Sequence, residues 1–156
     1  SGCAVAAVST VDEVAGRYQT VPIGEHTARI LLAKNPAGWQ EALSMVDRSA
    51  DGGVVIAVNG QVPDGEDLSW LWDVNFEHFE DVPVVAAGER GTDLAVRLGY
   101  AGVSHTLVHN TIDAIFSCPK GHVEVVANYT AFLQLTRTLG HMRPAGGSAA
   151  TRGEER

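Results

Sequence analysis

Asp73 stands directly after Trp72 in the stretch "DGEDLSWLWDVNFE", residues 64–77. Core packing accounts for Trp70, Trp72 and Phe76, but not for an acid set among them. Two local conformations are open. In the first, Asp64-Gly65 forms a turn and Asp67 caps a short helix over "LSWLW". In the second, extended chain from Ser69 puts Trp70, Trp72, Val74 and Phe76 on one face, with Asp73, Asn75 and Glu77 on the other. Either way the aromatics brace Asp73 near the rim of a sheet. A rigid, partly buried carboxylate is costly unless it meets a donor. A histidine ring is a suitable one, because a carboxylate fixes its tautomer and stabilises the imidazolium. The plainer reading is a long loop with its aromatics in the core and its acids in water.

A second candidate is "KNPAG", Lys34 to Gly38, which closes an apolar run and opens a helix. Pro36 suits the first helical position. Lys34 and Asn35 are left at the edge where ligands meet such folds, so turn chemistry and function both stay open there. Other groups carry less. The chain contains no GxxxxGK[ST], and no GxGxxG follows a strand, so by itself it lacks the usual cradle for a nucleoside triphosphate. His105 and His109 are four apart, but "SHTLVHN" reads poorly as a helix and has no carboxylate at metal spacing. No metal site is expected. Cys118 has His122 near it in sequence, yet a nucleophilic cysteine needs a positioned base and an oxyanion site.

The elements that must hold these residues alternate. "AVAAVSTVDEVAGRY" has helical spacing up to Val14, with Gly16 as a stop. "RYQTVPIGEHTARILLAK" reads as two strands around Gly24-Glu25, a hairpin. "AGWQEALSMVD" carries Trp39, Leu43 and Val46 at helical spacing. Val54–Val58 and Val82–Ala87 are apolar runs that read as strands covered on both faces. "GTDLAVRLGYAG" is a short helix stopped by Gly99 or Gly102. "HTLVHN" is weakly strand-like, "TIDAIFSC" a helix capped by Thr111, "GHVEVVANY" a strand and "TAFLQLTRTLG" a closing helix. This order predicts an α/β fold: a Rossmann-like, mostly parallel sheet with helices on both faces and an N-terminal β-hairpin edge. Residues 1–142 form one domain and 143–156 a disordered tail. Ligands in such folds meet the carboxyl ends of the strands. There the loops carry Lys34, Asn35, Asn59, Asp64 and Asp67.

Composition narrows the partners. The 156 residues are 45% hydrophobic and 19% charged, a globular balance that fits one domain. The formal net charge of −8 argues against nucleic acid, whose phosphates need clustered Lys and Arg. Cys3 and Cys118 are the only cysteines and read as reduced thiols in a cytoplasmic protein, not as a disulfide framework. No apolar run reaches the ~18 residues of a membrane span. "CAVAAV" is too short for a signal peptide. The first residue is not Met, which suggests a piece of something longer.

Four motifs in order, "ARILLAKNPAGWQEAL", "NGQVPDGEDLSWLWDVNFE", "AGERGTDLAVRLGYAGV" and "NYTAFLQL", resemble the C-terminal domain of the MurT family, from about Arg29 to Leu139. This family is the Mur ligase-like subunit of bacterial lipid II isoglutaminyl synthase. The resemblance implies a Mur ligase C-terminal-like fold and a longer subunit that binds ATP and Mg in another domain. It implies amidation of the D-glutamate α-carboxyl of the lipid II stem peptide, through an acyl phosphate and glutamine-derived ammonia. It also implies a partner, the GatD glutaminase, whose cysteine and histidine take their third triad member in trans. The matching aspartate in "SWLWDVNFE" is Asp73, with Trp70, Trp72 and Phe76 bracing it. Asn75 departs from the family, which carries a second aspartate there. By the same analogy Lys34 and Asn35 face the nucleotide and substrate, with Asn59, Asp64 and Asp67 as further candidates. Alone, the domain is expected to be inactive. Two other readings stay open: a non-catalytic docking module for an amidotransferase, and a free-standing Rossmann-like ligand-binding domain, which a ligand would stabilise against heat.

Overall fold

The computed structural model describes residues 18–48, 52–60, 67–79 and 81–142. The helix expected up to Val14, the candidate Asp64 and the tail from residue 143 lie outside the described residues.

Tyr18–Ile23 forms β1 and His26–Leu32 forms β2. They pair antiparallel with Ile23 opposite His26, so Gly24-Glu25 is the whole turn. Gly24 adopts φ +62°, the left-handed value that such a tight hairpin demands. The chain continues through α1 (Pro36–Met45), β3 (Gly53–Ala57), two 3-10 turns (Ser69–Asp73 and Phe76–Phe79) and β4 (Val84–Ala87). It ends with α2 (Gly91–Tyr100), β5 (His105–Leu107), α3 (Thr111–Ser117), β6 (Gly121–Ala127) and α4 (Tyr129–Met142). The sheet order is β1-β2-β6-β3-β4-β5. Every pairing from β2 to β5 is parallel, and β1 is the antiparallel edge. The expected α/β architecture is the one that forms.

Side-chain alternation along β3 divides the core. Val54 and Ile56 pack with Trp39, Leu43, Phe76, Leu94 and Leu98. Val55 and Ala57 pack with Ala114, Ile115, Ala131 and Leu135. Hence α1, α2 and the 3-10 turns cover one face, and α3 and α4 cover the other. Both faces of the parallel strands are dry, which is why β3 and β6 are runs of Val, Ile and Ala.

Helix ends follow from side chains near them. Asn35 Oδ1 accepts a hydrogen bond from the Gly38 N–H at 2.8 Å, and Pro36 opens α1. Asn35 is thus an N-cap, and its place in "KNPAG" needs no ligand. Asn35→Ala should cost about 1 kcal/mol in urea unfolding. α3 is capped by Asn110, whose Oδ1 accepts from the Asp113 N–H at 2.9 Å, and not by Thr111 as the sequence suggested. Thr111 is already the first helical residue, one position too late to cap. α2 passes through Gly99 and closes at Gly102, at φ +76°, with the Val103 N–H on the Leu98 carbonyl at 3.0 Å.

One acid breaks the apolar pattern of β6. Glu124 is fully buried among valines. Arg29 on the neighbouring β2 donates to both its oxygens, at 2.9 and 3.0 Å. The Asp47 N–H and His122 Nε2 lie 3.0 and 3.1 Å from Oε2. The same guanidinium donates to the Met45 carbonyl, so the pair ties the end of α1 to the sheet.

Candidate functional site

Asp73 ends the first 3-10 turn, which packs against α1 and α2 on one face of the sheet. The short-helix alternative therefore holds, over Ser69–Asp73, and the extended one does not; the residue at the N-cap is Leu68, which makes no side-chain cap bond, and not Asp67. Asp67 Oδ1 accepts from the Ser69 N–H at 2.9 Å, which starts the turn. That bond from the Ser69 backbone, helped by the Ser69 hydroxyl, holds the Asp67 carboxyl below its ordinary range.

The aromatics of the turn do different work from one another. Phe76 is fully buried. Trp70 is half-buried and stacks on Trp39, ring centroids 5.5 Å apart. Trp72, expected in the core, is 53% exposed. A 3-10 turn has about three residues per turn, so Trp70 and Trp72 cannot share a face as they would in a strand. Leu71 is the inward residue between them. Trp72 instead meets the ring of Tyr100 edge-on at 5.3 Å, and Tyr100 is 77% exposed. Val96, one turn earlier on α2, is also exposed. The result is an uncovered aromatic patch beside Asp73.

Asp73 itself is exposed. Among the described residues its carboxylate has no hydrogen-bond or ion-pair partner. Its backbone, by contrast, is held on both sides by Arg97 of α2. Arg97 Nε donates to the Leu71 carbonyl at 3.0 Å and a terminal nitrogen donates to the Val74 carbonyl at 2.7 Å. The guanidinium lies 5.0 Å from the Trp72 ring centroid and 5.4 Å from that of Phe76. Glu77 is 3.4 Å from the same guanidinium. The Glu77 carboxyl is held below its usual range, first by its own backbone N–H and then by Arg97. Sequence reasoning missed Arg97. The signal was an arginine on the apolar stripe of α2, set between Leu94 and Leu98.

The carboxyl ends of the strands form a separate rim. Asn59 is buried there and its side chain is committed: Nδ2 donates to Gln134 Oε1 at 2.9 Å, and Oδ1 accepts from the Glu89 N–H at 2.9 Å. Its backbone exchanges two bonds with the Asn128 amide, at 3.1 and 2.7 Å. Asn59 thus ties β3, β4 and β6 together and does not face outward to a nucleotide as the sequence suggested. Lys34 is exposed, its ammonium 5.4 Å from the Tyr129 ring centroid. No hydrogen bond or ion pair links Asp73 to Lys34, Asn35 or Asn59.

The remaining candidates are structural. His105 Nδ1 lies 2.9 Å from the Val103 carbonyl, and His109 Nε2 lies 3.2 Å from the Thr92 hydroxyl. Among the described residues no group of three or more His, Cys, Asp or Glu could hold a metal ion. Cys118 is buried, and burial pushes its thiol up, the opposite of what a nucleophile needs. A cleft of about 380 Å³ opens at the amino ends of the strands, between Asp47, Val84, His105 and Cys118, and is lined by none of Lys34, Asn35, Asn59, Asp67 and Asp73. No helix of the described residues is long and apolar enough to cross a membrane.

The comparisons with known proteins agree with one another. A relative from Streptococcus pneumoniae (strain ATCC BAA-255 / R6), "Lipid II isoglutaminyl synthase (glutamine-hydrolyzing) subunit MurT", is 31% identical over 136 residues, covering 81% of this chain and 30% of its own length. The subunit of the same name from Staphylococcus aureus (strain COL) is 30% identical over 146 residues, covering 85% of this chain and 32% of its own. The chain thus spans about a third of the length of these curated relatives. The family described as "MurT ligase C-terminal" matches residues 32–132, a stretch that contains the Asp73 turn, Arg97 and the parallel strands β3, β4, β5 and β6. The chain therefore belongs to the MurT ligase C-terminal family.

Proposed function

We propose that this domain serves a lipid II isoglutaminyl synthase by docking a GatD-like glutaminase and lending it Asp73. In that complex the partner's cysteine attacks the glutamine carboxamide. The partner's histidine takes the thiol proton and delivers it to the departing ammonia. Asp73 orients that ring and stabilises its charged form. The ammonia then displaces phosphate from the activated D-glutamate of the stem peptide. ATP and magnesium, and the acyl phosphate chemistry, belong to the remainder of the longer subunit, in the cytoplasm where ATP and glutamine are available.

One observation carries this reading. Asp73 is an exposed carboxylate without a partner among the described residues, on a backbone whose carbonyls are pinned on both sides. An acid needed only for solubility would not require such a mount. The uncovered Trp72 and Tyr100 beside it supply the aromatic content typical of an interface centre. That patch also favours a second reading, in which the domain only docks the amidotransferase.

Binding and rate separate the two. The full-length subunit carrying Asp73→Asn should bind its glutaminase with the wild-type Kd and lose glutamine hydrolysis. Unchanged hydrolysis in the assembled complex would leave only the docking role.

A further inference from the structure

We infer that Arg97 is the positioning residue of the trans-acting carboxylate, an inference that rests on the role proposed for Asp73. The Asp73 side chain has nothing within the described chain to aim it. Its direction is therefore set by the backbone of residues 71–74. That backbone is a single short 3-10 turn. The bonds at its two ends are the Leu71 N–H to the Leu68 carbonyl at 3.0 Å and the Val74 N–H to the Leu71 carbonyl at 3.3 Å. Short 3-10 turns have poor hydrogen-bond geometry.

Arg97 supplies the missing rigidity. It is buried, and the polar partners and rings gathered around its guanidinium all lie in residues 71–77. The carbonyls it grips come from two residues before Asp73 and one residue after. A planar fork can reach both at once, and the rings of Trp72 and Phe76 keep it from rotating away. The anchoring helix is itself fixed, with Leu94 and Leu98 buried in the core on either side of Arg97. Arg97 thus fixes the backbone without consuming the carboxylate. A direct ion pair to Asp73 would fix it equally well but would withdraw it from a partner.

The test is glutamine hydrolysis by the full-length subunit assembled with its glutaminase. Wild type is compared with Arg97→Lys, Arg97→Ala and Asp73→Asn. A lysine ammonium cannot grip both carbonyls, so Arg97→Lys should assemble normally and lower kcat about 100-fold at unchanged KM for glutamine, the scale of a 1 Å misplacement. Arg97→Ala should lose more and regain part of its rate in millimolar ethylguanidinium, which should do nothing for Asp73→Asn. Full kcat in assembled Arg97→Lys, where Asp73→Asn has collapsed, overturns the positioning role and leaves the Asp73 reading intact. Full kcat in Asp73→Asn overturns both. Should Arg97→Ala fail to fold, the kcat of Arg97→Lys decides alone.

Discussion

Asp73→Asn is expected to lower kcat for glutamine hydrolysis about 10⁴-fold in the assembled complex, the loss seen when a triad aspartate becomes an amide. The two side chains have the same volume, and position 73 is exposed, so neither folding nor docking should suffer. What changes is the chemistry offered to the partner's ring. A carboxylate only accepts, so it selects the histidine tautomer with its proton on the near nitrogen, and it stabilises the imidazolium. An amide can donate to that nitrogen and select the other tautomer. Asp73→Glu keeps the charge but moves it by one methylene and should lose about 100-fold. Nearby acids serve as controls. Asp67 is committed to the Ser69 N–H and Glu77 to Arg97, so Asp67→Asn and Glu77→Gln should stay within a few-fold of wild type.

A different kind of loss is expected at Arg29. Arg29→Met should destabilise the domain by about 3–5 kcal/mol, because it strands a buried carboxylate. Glu124 has no exposed surface, and two of its closest donors belong to that one guanidinium. The remaining Asp47 N–H and His122 ring cannot balance a full charge inside a layer of valines. Met45, at the end of α1, loses its tie to the sheet in the same change. Urea unfolding measures the cost. The double variant Arg29→Met/Glu124→Leu should recover most of it, since an apolar pair of similar volume removes the stranded charge as well. Recovery would locate the loss in the uncompensated charge and not in the packing of the arginine stem.

The sequence exposes features that rest on neighbours in the chain and hides those that rest on neighbours in space. The hairpin was readable because Gly24-Glu25 sits between two apolar runs, and the parallel sheet because β3, β4 and β6 are continuous apolar segments. Trp39, Leu43, Leu94 and Leu98 were readable from helical spacing. The Asp73 turn was readable only as two alternatives, since "SWLWD" fits a short helix and a strand equally well. The choice was made by Trp39 and Arg97, which approach from other elements. That choice also turned Trp72 outward. Asn59 looked like a rim ligand because it follows a strand, yet its partners, Gln134, Glu89 and Asn128, are distant in sequence. Arg97 and Glu124 were each visible as a charge on an apolar stripe. Such a residue announces that it has a partner without saying which one.

The central claim is that a carboxylate of this chain orients a histidine of another. The most direct test is the ¹⁵N spectrum of the partner's catalytic imidazole in the assembled complex, with wild-type subunit and with Asp73→Asn. A single tautomer is expected with wild type, and a mixture or the opposite tautomer once residue 73 is an amide. An identical spectrum in both complexes would mean that Asp73 never reaches that ring.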